Sequence, residues 1–171
     1  MLERGWSESR GTYTQAFGSE ELDASALLMP LVGFIPAWDG RMRSTIEAIA
    51  RDLTEDGLVL RYRSAAGPNA DGLEGVEGAF VICSFWLVSC LAQAGEVERA
   101  TALFDRLVGY ANDLGLLGEE VDAPSGELLG NFPQAFSHIG LINAAADLDR
   151  ARDPVSTPGT IAGSILQGDL P

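Results

Sequence analysis

Lysine is missing from this 171-residue chain: all 11 basic residues are arginine. That excludes a Schiff-base lysine and the lysine of a phosphate-binding loop, and no glycine-rich phosphate loop occurs either. Histidine occurs once, at His138, and cysteine twice, at Cys83 and Cys90. One imidazole without clustered thiols does not make a zinc site. Seven residues along a helix separate the cysteines by about 10 Å, whereas a disulfide spans roughly 4.4–6.8 Å between Cα atoms. Both are expected as buried thiols. There is no Gly-x-Ser-x-Gly turn for a serine nucleophile, and His138 lies inside an apolar segment, where a core or helix-start role is expected. No apolar run reaches the roughly 18 residues of a membrane span. The opening MLERGWSESRG lacks the basic-then-apolar order of a signal peptide. These absences lead to the expectation of a soluble, cytoplasmic protein with no membrane partner. Positive charge is also scarce, 11 basic against 25 acidic residues for a net −14, and such a surface repels nucleic acid.

What is present is apolar and helical. Hydrophobic residues make up 46% of the chain, enough at this length for one domain with a sizeable core. Residues 1–20 suggest an irregular entry. Ser19 with the acids that follow then looks like a helix start, leading into an apolar helix over residues 21–33 that Pro30 kinks or ends. Residues 41–53 form an amphipathic outer helix, with Met42, Ile46, Ile49 and Leu53 on one face and Arg43, Glu47 and Arg51 on the other. A long irregular stretch, 54–78, carries the turn signals Asp56-Gly57, Gly67-Pro68 and Asp71-Gly72. Within it, residues 58–63 suit a short extended piece. A second buried helix is expected over 79–94, punctuated by Gly95, and a second outer helix over 96–112. A third buried helix follows over 133–148, with Pro133 as its first residue.

The order is therefore buried, exposed, buried, exposed, buried. Connections out of a buried helix are short and those into one are long. Ala79-Phe80 and Ala135-Phe136 each open a buried helix after a long loop, a weak repeat of a two-helix unit. Such units close into a toroid or stack as a solenoid. In either case the long loops share one rim with the N-termini of the buried helices. That rim gathers residues 18–23, Arg61, Tyr62, Arg63, Glu74, Glu77, Glu119 and Glu120.

Residues 116–131, LLGEEVDAPSGELLGN, form the loop of greatest interest. A loop of this size between helices is usually functional or disordered, and its leucines and Val121 argue against disorder. Asp122, Glu127 and Asn131 lack the spacing of an EF-hand. A carboxylate at the rim of an apolar pocket can serve as a general base, and paired carboxylates are the usual machinery of glycoside hydrolysis. Solvated acids on a loop are the plainer alternative.

Five runs, GSEELDASALLMPLVGFIP, DGLVLRYR, EGAFVICSFWLV, NDLGLLGEEVD and GELLGNFPQAFSHIGLINAA, resemble in order the C-terminal half of glycoside hydrolase family 15. This family contains the bacterial glucoamylase and trehalase-like enzymes. The resemblance implies an all-α fold, a partial (α/α)6 toroid with about half of the twelve helices and its long loops on one rim. Residues 1–150 would form the C-terminal half of the catalytic domain, and residues 151–171 a loosely ordered tail. The resemblance implies hydrolysis of α-glucosidic bonds with inversion, and no cofactor or metal is expected.

By position, Glu119 matches the general base that activates water, and Arg61-Tyr62 matches a pair whose arginine contacts the sugar. Glu77 would line the same pocket. Gly118 stands where many relatives have serine, and Glu120 and Glu127 suit structural or solvated roles. The family's general acid lies upstream of anything resembling Gly5. Inverting hydrolysis needs two carboxyl groups roughly 6.5–9.5 Å apart, so the chain is expected to bear the base, lack the acid and be inactive alone. The implied partners are an α-glucoside (maltodextrin or trehalose) and, to cover an exposed apolar edge, the N-terminal half of the toroid or a second copy. The alternative is a non-catalytic helical scaffold or remnant that binds sugar or protein weakly.

Overall fold

The computed structural model describes residues 2–63 and 78–153. The helical framework consists of α1 (Leu28–Leu31), α2 (Gly40–Asp52), α3 (Val81–Gln93), α4 (Val97–Val108) and α5 (Ala135–Arg152). A 3-10 turn over Ala24–Leu27 leads into α1. Helix α3 is the centre of the packing, with α1 on one side, α5 on the other, and the outer helices α2 and α4 behind it.

Local chemistry sets the helix ends. Asp39 caps α2 by accepting from the Arg41 and Met42 amides at 2.9 and 3.2 Å, an arrangement worth about 1 kcal/mol. Met42, Thr45, Ile46, Ala48 and Ile49 face inward. Helices α1 and α3 end alike. At the first, Gly33 (φ +72) donates to the Pro30 carbonyl at 3.0 Å and Phe34 to that of Met29 at 2.9 Å. At the second, Gly95 (φ +85) donates to Ala92 at 3.1 Å and Glu96 to Leu91 at 2.9 Å. A left-handed glycine with this bond pair is the Schellman stop, and it turns each inner helix directly toward an outer one. Arg99 of α4 bonds Glu47 of α2 at 2.6 Å, so the outer helices are tied across the surface as well.

Several expectations need correction. The first buried helix is shorter than residues 21–33, and its cap is Asp23 rather than Ser19. Asp23 forms an antiparallel bridge with Tyr62, and the Ala24 amide donates to the Arg61 carbonyl at 2.8 Å. That pairing keeps Asp23 extended, so winding starts only at Ala24. Ala79 and Phe80 belong to a strand, not to α3, and so are not equivalent to Ala135-Phe136. Pro133 lies outside α5 after a cis peptide bond from Phe132. The Gln134 amide donates to Leu117 at 3.0 Å, and its extended backbone (φ −108, ψ 119) cannot be helical. Helix α5 continues to Arg152, two residues into the stretch expected as a tail; residues 154–171 lie outside the described residues.

Two expected irregular stretches contain hairpins. Strands β1 (Trp6–Ser7) and β2 (Thr12–Tyr13) pair antiparallel, with the Trp6 and Tyr13 rings edge-on at 5.3 Å. Strands β3 (Thr54–Glu55) and β4 (Leu58–Val59) pair across Asp56 (φ 46) and Gly57 (φ 81), the doubly left-handed turn that Asp-Gly favours. The third sheet builds the rim. Strand β5 (Ala79–Phe80) pairs with β6 (Glu120–Val121), which pairs with β7 (Leu128–Leu129). The carboxylate-rich loop is therefore an ordered hairpin. Asp122 closes it by accepting from the Ser125 amide at 3.0 Å and from the Ser125 hydroxyl.

Both cysteines are buried outside any disulfide. Cys90 donates to the Leu27 carbonyl at 3.2 Å, and burial holds its thiol protonated far above the usual range.

Candidate active site

Glu119 immediately precedes β6, and its backbone is gripped from both neighbouring helices. The Val81 amide at the start of α3 donates to the Glu119 carbonyl at 3.0 Å. The start of α5 holds the two residues before it. Gln134 donates to the Leu117 carbonyl at 3.0 Å, the Ser137 hydroxyl donates to the Gly118 carbonyl at 2.7 Å, and the Leu117 amide donates to His138 Nε2 at 3.2 Å. With Nε2 accepting, neutral His138 carries its proton on Nδ1. The sole histidine is thus a structural acceptor.

The two consecutive glutamates are held by different partners. Glu119 Oε2 accepts from the backbone amide of Asn131 at 3.0 Å and from its side-chain Nδ2 at 2.8 Å. Glu120 Oε2 accepts from the Gly78 amide at 2.9 Å and ties β6 to the chain entering β5. Of the pair, Glu119 lines a cleft of about 380 Å³ together with Phe80, Ile82, Trp86, Gln134, Phe136 and Ser137. Its walls are almost wholly apolar, and Glu119 is the one carboxylate among those described residues. Such walls exclude water and strengthen any charge interaction made at the carboxylate. The side chain of Glu127 lies in the exposed turn of the hairpin.

Arg61 and Tyr62 reach the same rim. The Arg61 guanidinium lies over the Tyr62 ring at 4.7 Å and over the Phe80 ring at 5.2 Å, and it donates to the Tyr62 hydroxyl at 2.9 Å. Phe80 therefore joins the two groups, as one wall of the Glu119 cleft and as the surface beneath Arg61. Glu77, also expected here, lies outside the described residues. Gly118 packs tightly: a Cβ there would stand 3.2 Å from the Leu128 Cβ. A serine at this position would require Leu128 to give by a few tenths of an ångström.

Deeper on the same wall, a second cleft of about 390 Å³ is lined from all three inner helices, by Val32, Trp86, Ser89, Gly140, Asn143 and Asp147 among others. A third, of about 420 Å³, lies beside β2 and includes Tyr13, Gln15, Phe17, Asp23, Met29 and Phe34. In it Gln15 donates to Asp23 at 3.3 Å. Ser19, by contrast, accepts from the Glu21 amide at 3.0 Å and shapes a turn.

Sequence reasoning missed Asn131, Gly130 and the aromatic wall of Phe80, Trp86 and Phe136. The register Glu120↔Leu129 is the signal that finds the first two, because it brings Gly130 and Asn131 alongside Glu119.

Comparison with known proteins identifies the family and the fold. The model of the glycosyl hydrolases family 15 matches residues 1–146. The chain is 53% identical over 159 residues to a trehalase of Mycobacterium tuberculosis, covering 93% of this chain and 23% of that protein. It is 40% identical over 152 residues to a trehalase of Thermoplasma volcanium, covering 88% and 24%. It thus spans about a quarter of the length of the curated relatives it matches. Among solved structures, a wild-type glycosidase superposes with a TM-score of 0.68 at 26% identity, over 86% of this chain and 41% of that one. A variant glycosidase in complex with glucose gives 0.69 at 25% identity, over the same shares.

Proposed function

The chain belongs to family 15 of the glycosyl hydrolases, and on that premise we propose that it is the base-bearing part of an inverting α-glucoside hydrolase. Trehalose is the preferred substrate and maltodextrin the second, because the relatives matched over most of this chain are trehalases. The observation that carries the reading is Glu119, a half-buried carboxylate held through one oxygen at the edge of an apolar, aromatic cleft. Glucose bound to a similar glycosidase supports a glucosyl unit as the occupant.

In the step proposed, Glu119 takes a proton from water as the water oxygen bonds to the anomeric carbon. The bond from that carbon to the glycosidic oxygen breaks, and the departing oxygen receives a proton from a second carboxylic acid. Arg61, set over Phe80 and Tyr62, contacts the sugar. The acid comes from a part of the toroid beyond this chain's residues, on the same polypeptide or another. Exposed apolar side chains at both ends of the inner-helix row support such neighbours. Phe136, Ile139 and Ile142 on α5 are 64%, 50% and 62% exposed, and Val32 and Trp38 are bare at the opposite end. Among the described residues no helix is long and apolar enough to cross a membrane. Two buried thiols outside any disulfide fit a reducing, cytoplasmic setting.

The test is glucose release from trehalose, maltose and soluble starch, by the chain alone and when joined to the remaining toroid segment. Release only from the joined form, greatest with trehalose, abolished by Glu119→Gln and retained in Glu120→Gln, is expected. Full turnover in Glu119→Gln would overturn the assignment.

A further inference from the structure

We propose that Asn131 is the positioning residue of the Glu119 base, clamping one carboxylate oxygen so that the other is presented to the water. The inference rests on the reading of Glu119 given above, and it deepens that reading.

Both donors of Asn131, the backbone N–H at 3.0 Å and the side-chain Nδ2 at 2.8 Å, converge on the same atom, Glu119 Oε2. Among the described residues Oε1 accepts no hydrogen bond, so the clamp is one-sided. The return bond, from the Glu119 amide to the Asn131 carbonyl at 3.0 Å, closes a ring of contacts between the two residues. A carboxylate with one oxygen held by two N–H groups has lost its side-chain torsional freedom, and its remaining lone pairs point in a fixed direction. Alignment of this kind is what a general base needs, since a misplacement of about 1 Å can cost on the order of 100-fold in rate.

Gly130 makes the clamp possible. Its φ of +71° suits glycine, and a Cβ at this position would stand 2.7 Å from Glu119 Oε2 and 3.1 Å from the Glu119 Cβ. Glycine therefore lets β7 leave the sheet directly beneath the carboxylate and deliver both Asn131 donors to it. Glu120 is held from elsewhere: its carboxylate accepts from the Gly78 amide at 2.9 Å, on the other edge of β6.

The experiment has two arms. In the chain alone, the amide NMR signals of Asn131, backbone and side chain, are followed in wild type and in Glu119→Gln. Both are expected to shift upfield when the charged acceptor is lost; if neither moves, the clamp does not exist and the proposal falls regardless of activity. In the joined enzyme, Asn131→Ala is expected to lower kcat by on the order of 10–100-fold, with KM for trehalose within about twofold. Asn131→Asp sets a carboxylate against Oε2 in place of a donor. It should lower kcat further at neutral pH and move the acid limb of the pH profile upward, because two adjacent carboxylates resist ionising together.

Unchanged far-ultraviolet circular dichroism in both variants checks that folding is intact, which the exposed side chain of Asn131 favours. If Glu119→Gln abolishes turnover while Asn131→Ala changes neither kcat nor the pH profile, the positioning role alone is overturned. If Glu119→Gln retains turnover, the base assignment fails and this proposal fails with it.

Discussion

Helices α3 and α5 both look like core helices in the sequence, yet they live in different surroundings. All residues of α3 except Ile82, Trp86 and Gln93 are buried. In the longer α5 only Ser137, Gly140, Ala144 and Leu148 are, a stripe at helical spacing that faces α3 and α4. The other side of α5 shows Phe136, Ile139 and Ile142 to solvent. The difference is one of neighbours: α3 has an inner helix on each flank and α5 on one. The apolarity of a helix records how many neighbours it needs, which is a different quantity from how many the chain supplies.

The comparison can be broken most forcefully at one phenylalanine on each helix. Phe85 of α3 is fully buried and tilted against Phe104 at 6.1 Å. Phe85→Ala should destabilise the chain by about 3–5 kcal/mol, whereas Phe136→Ala should change it by less than about 0.5 kcal/mol. Urea unfolding of the two variants measures both, and similar costs would mean that α5 is covered in solution.

Next comes the seam between the helices. A Cβ on Gly140 would stand 3.1 Å from the Phe85 Cβ and 3.4 Å from the Ile82 Cγ1. Gly140→Val should therefore cost about 1–3 kcal/mol by forcing the helices apart, read as a lower urea midpoint. Charge on the bare face sharpens the contrast in the other direction. Ile139→Glu with Ile142→Glu should leave the stability of the isolated chain within about 1 kcal/mol. The same pair should weaken association with the remaining toroid segment, or between copies, in sedimentation experiments. Unaltered association would show that α5 is not the joining edge.

The smallest effect belongs to the outer layer, at the C-terminal end of α2. Asp52 bonds Arg51 at 2.7 Å and Arg10 at 3.0 Å, and the Arg51 hydrogen bond is the main cause of its lowered pKa. Because the folded value lies below the unfolded one, this stabilisation is present above the usual carboxylate range and is lost as pH falls through it. For a surface pair that is at most about 1 kcal/mol. Asp52→Asn should flatten the acid side of the stability–pH curve by this amount.

How much of this was legible in the sequence varies with the range of the cause. The amphipathic period of α2 is local, so the expected range of 41–53 lies within a residue of the observed helix at each end, although the Asp39 cap is not part of that expectation. The Gly95 stop and the Asp56-Gly57 turn are local too. Helix α1 is shorter than its apolar run because Asp23 pairs with Tyr62, far along the chain, and no local pattern carries that contact. The strands at the rim are two residues long, too short for alternation to register. The buried face of α5 is narrower than its apolar composition suggests, because among the described residues α5 packs on α3 and α4 along one stripe only. At the site, Glu119, Arg61 and Tyr62 were named through family resemblance. Asn131 could be found only once the pairing of Glu120 with Leu129 was known.

That pairing has a consequence for the two adjacent glutamates, which are chemically the same. Nothing in the composition of Glu119 and Glu120 distinguishes them; the hairpin does so by counting. If β6 slipped by one residue against β7, Glu120 would lie beside Gly130 within reach of Asn131, and Glu119 would take its turn outside the clamp. The Asp122–Ser125 closure, which fixes the count, therefore acts as an address: it tells the molecule which of two interchangeable letters is to be read.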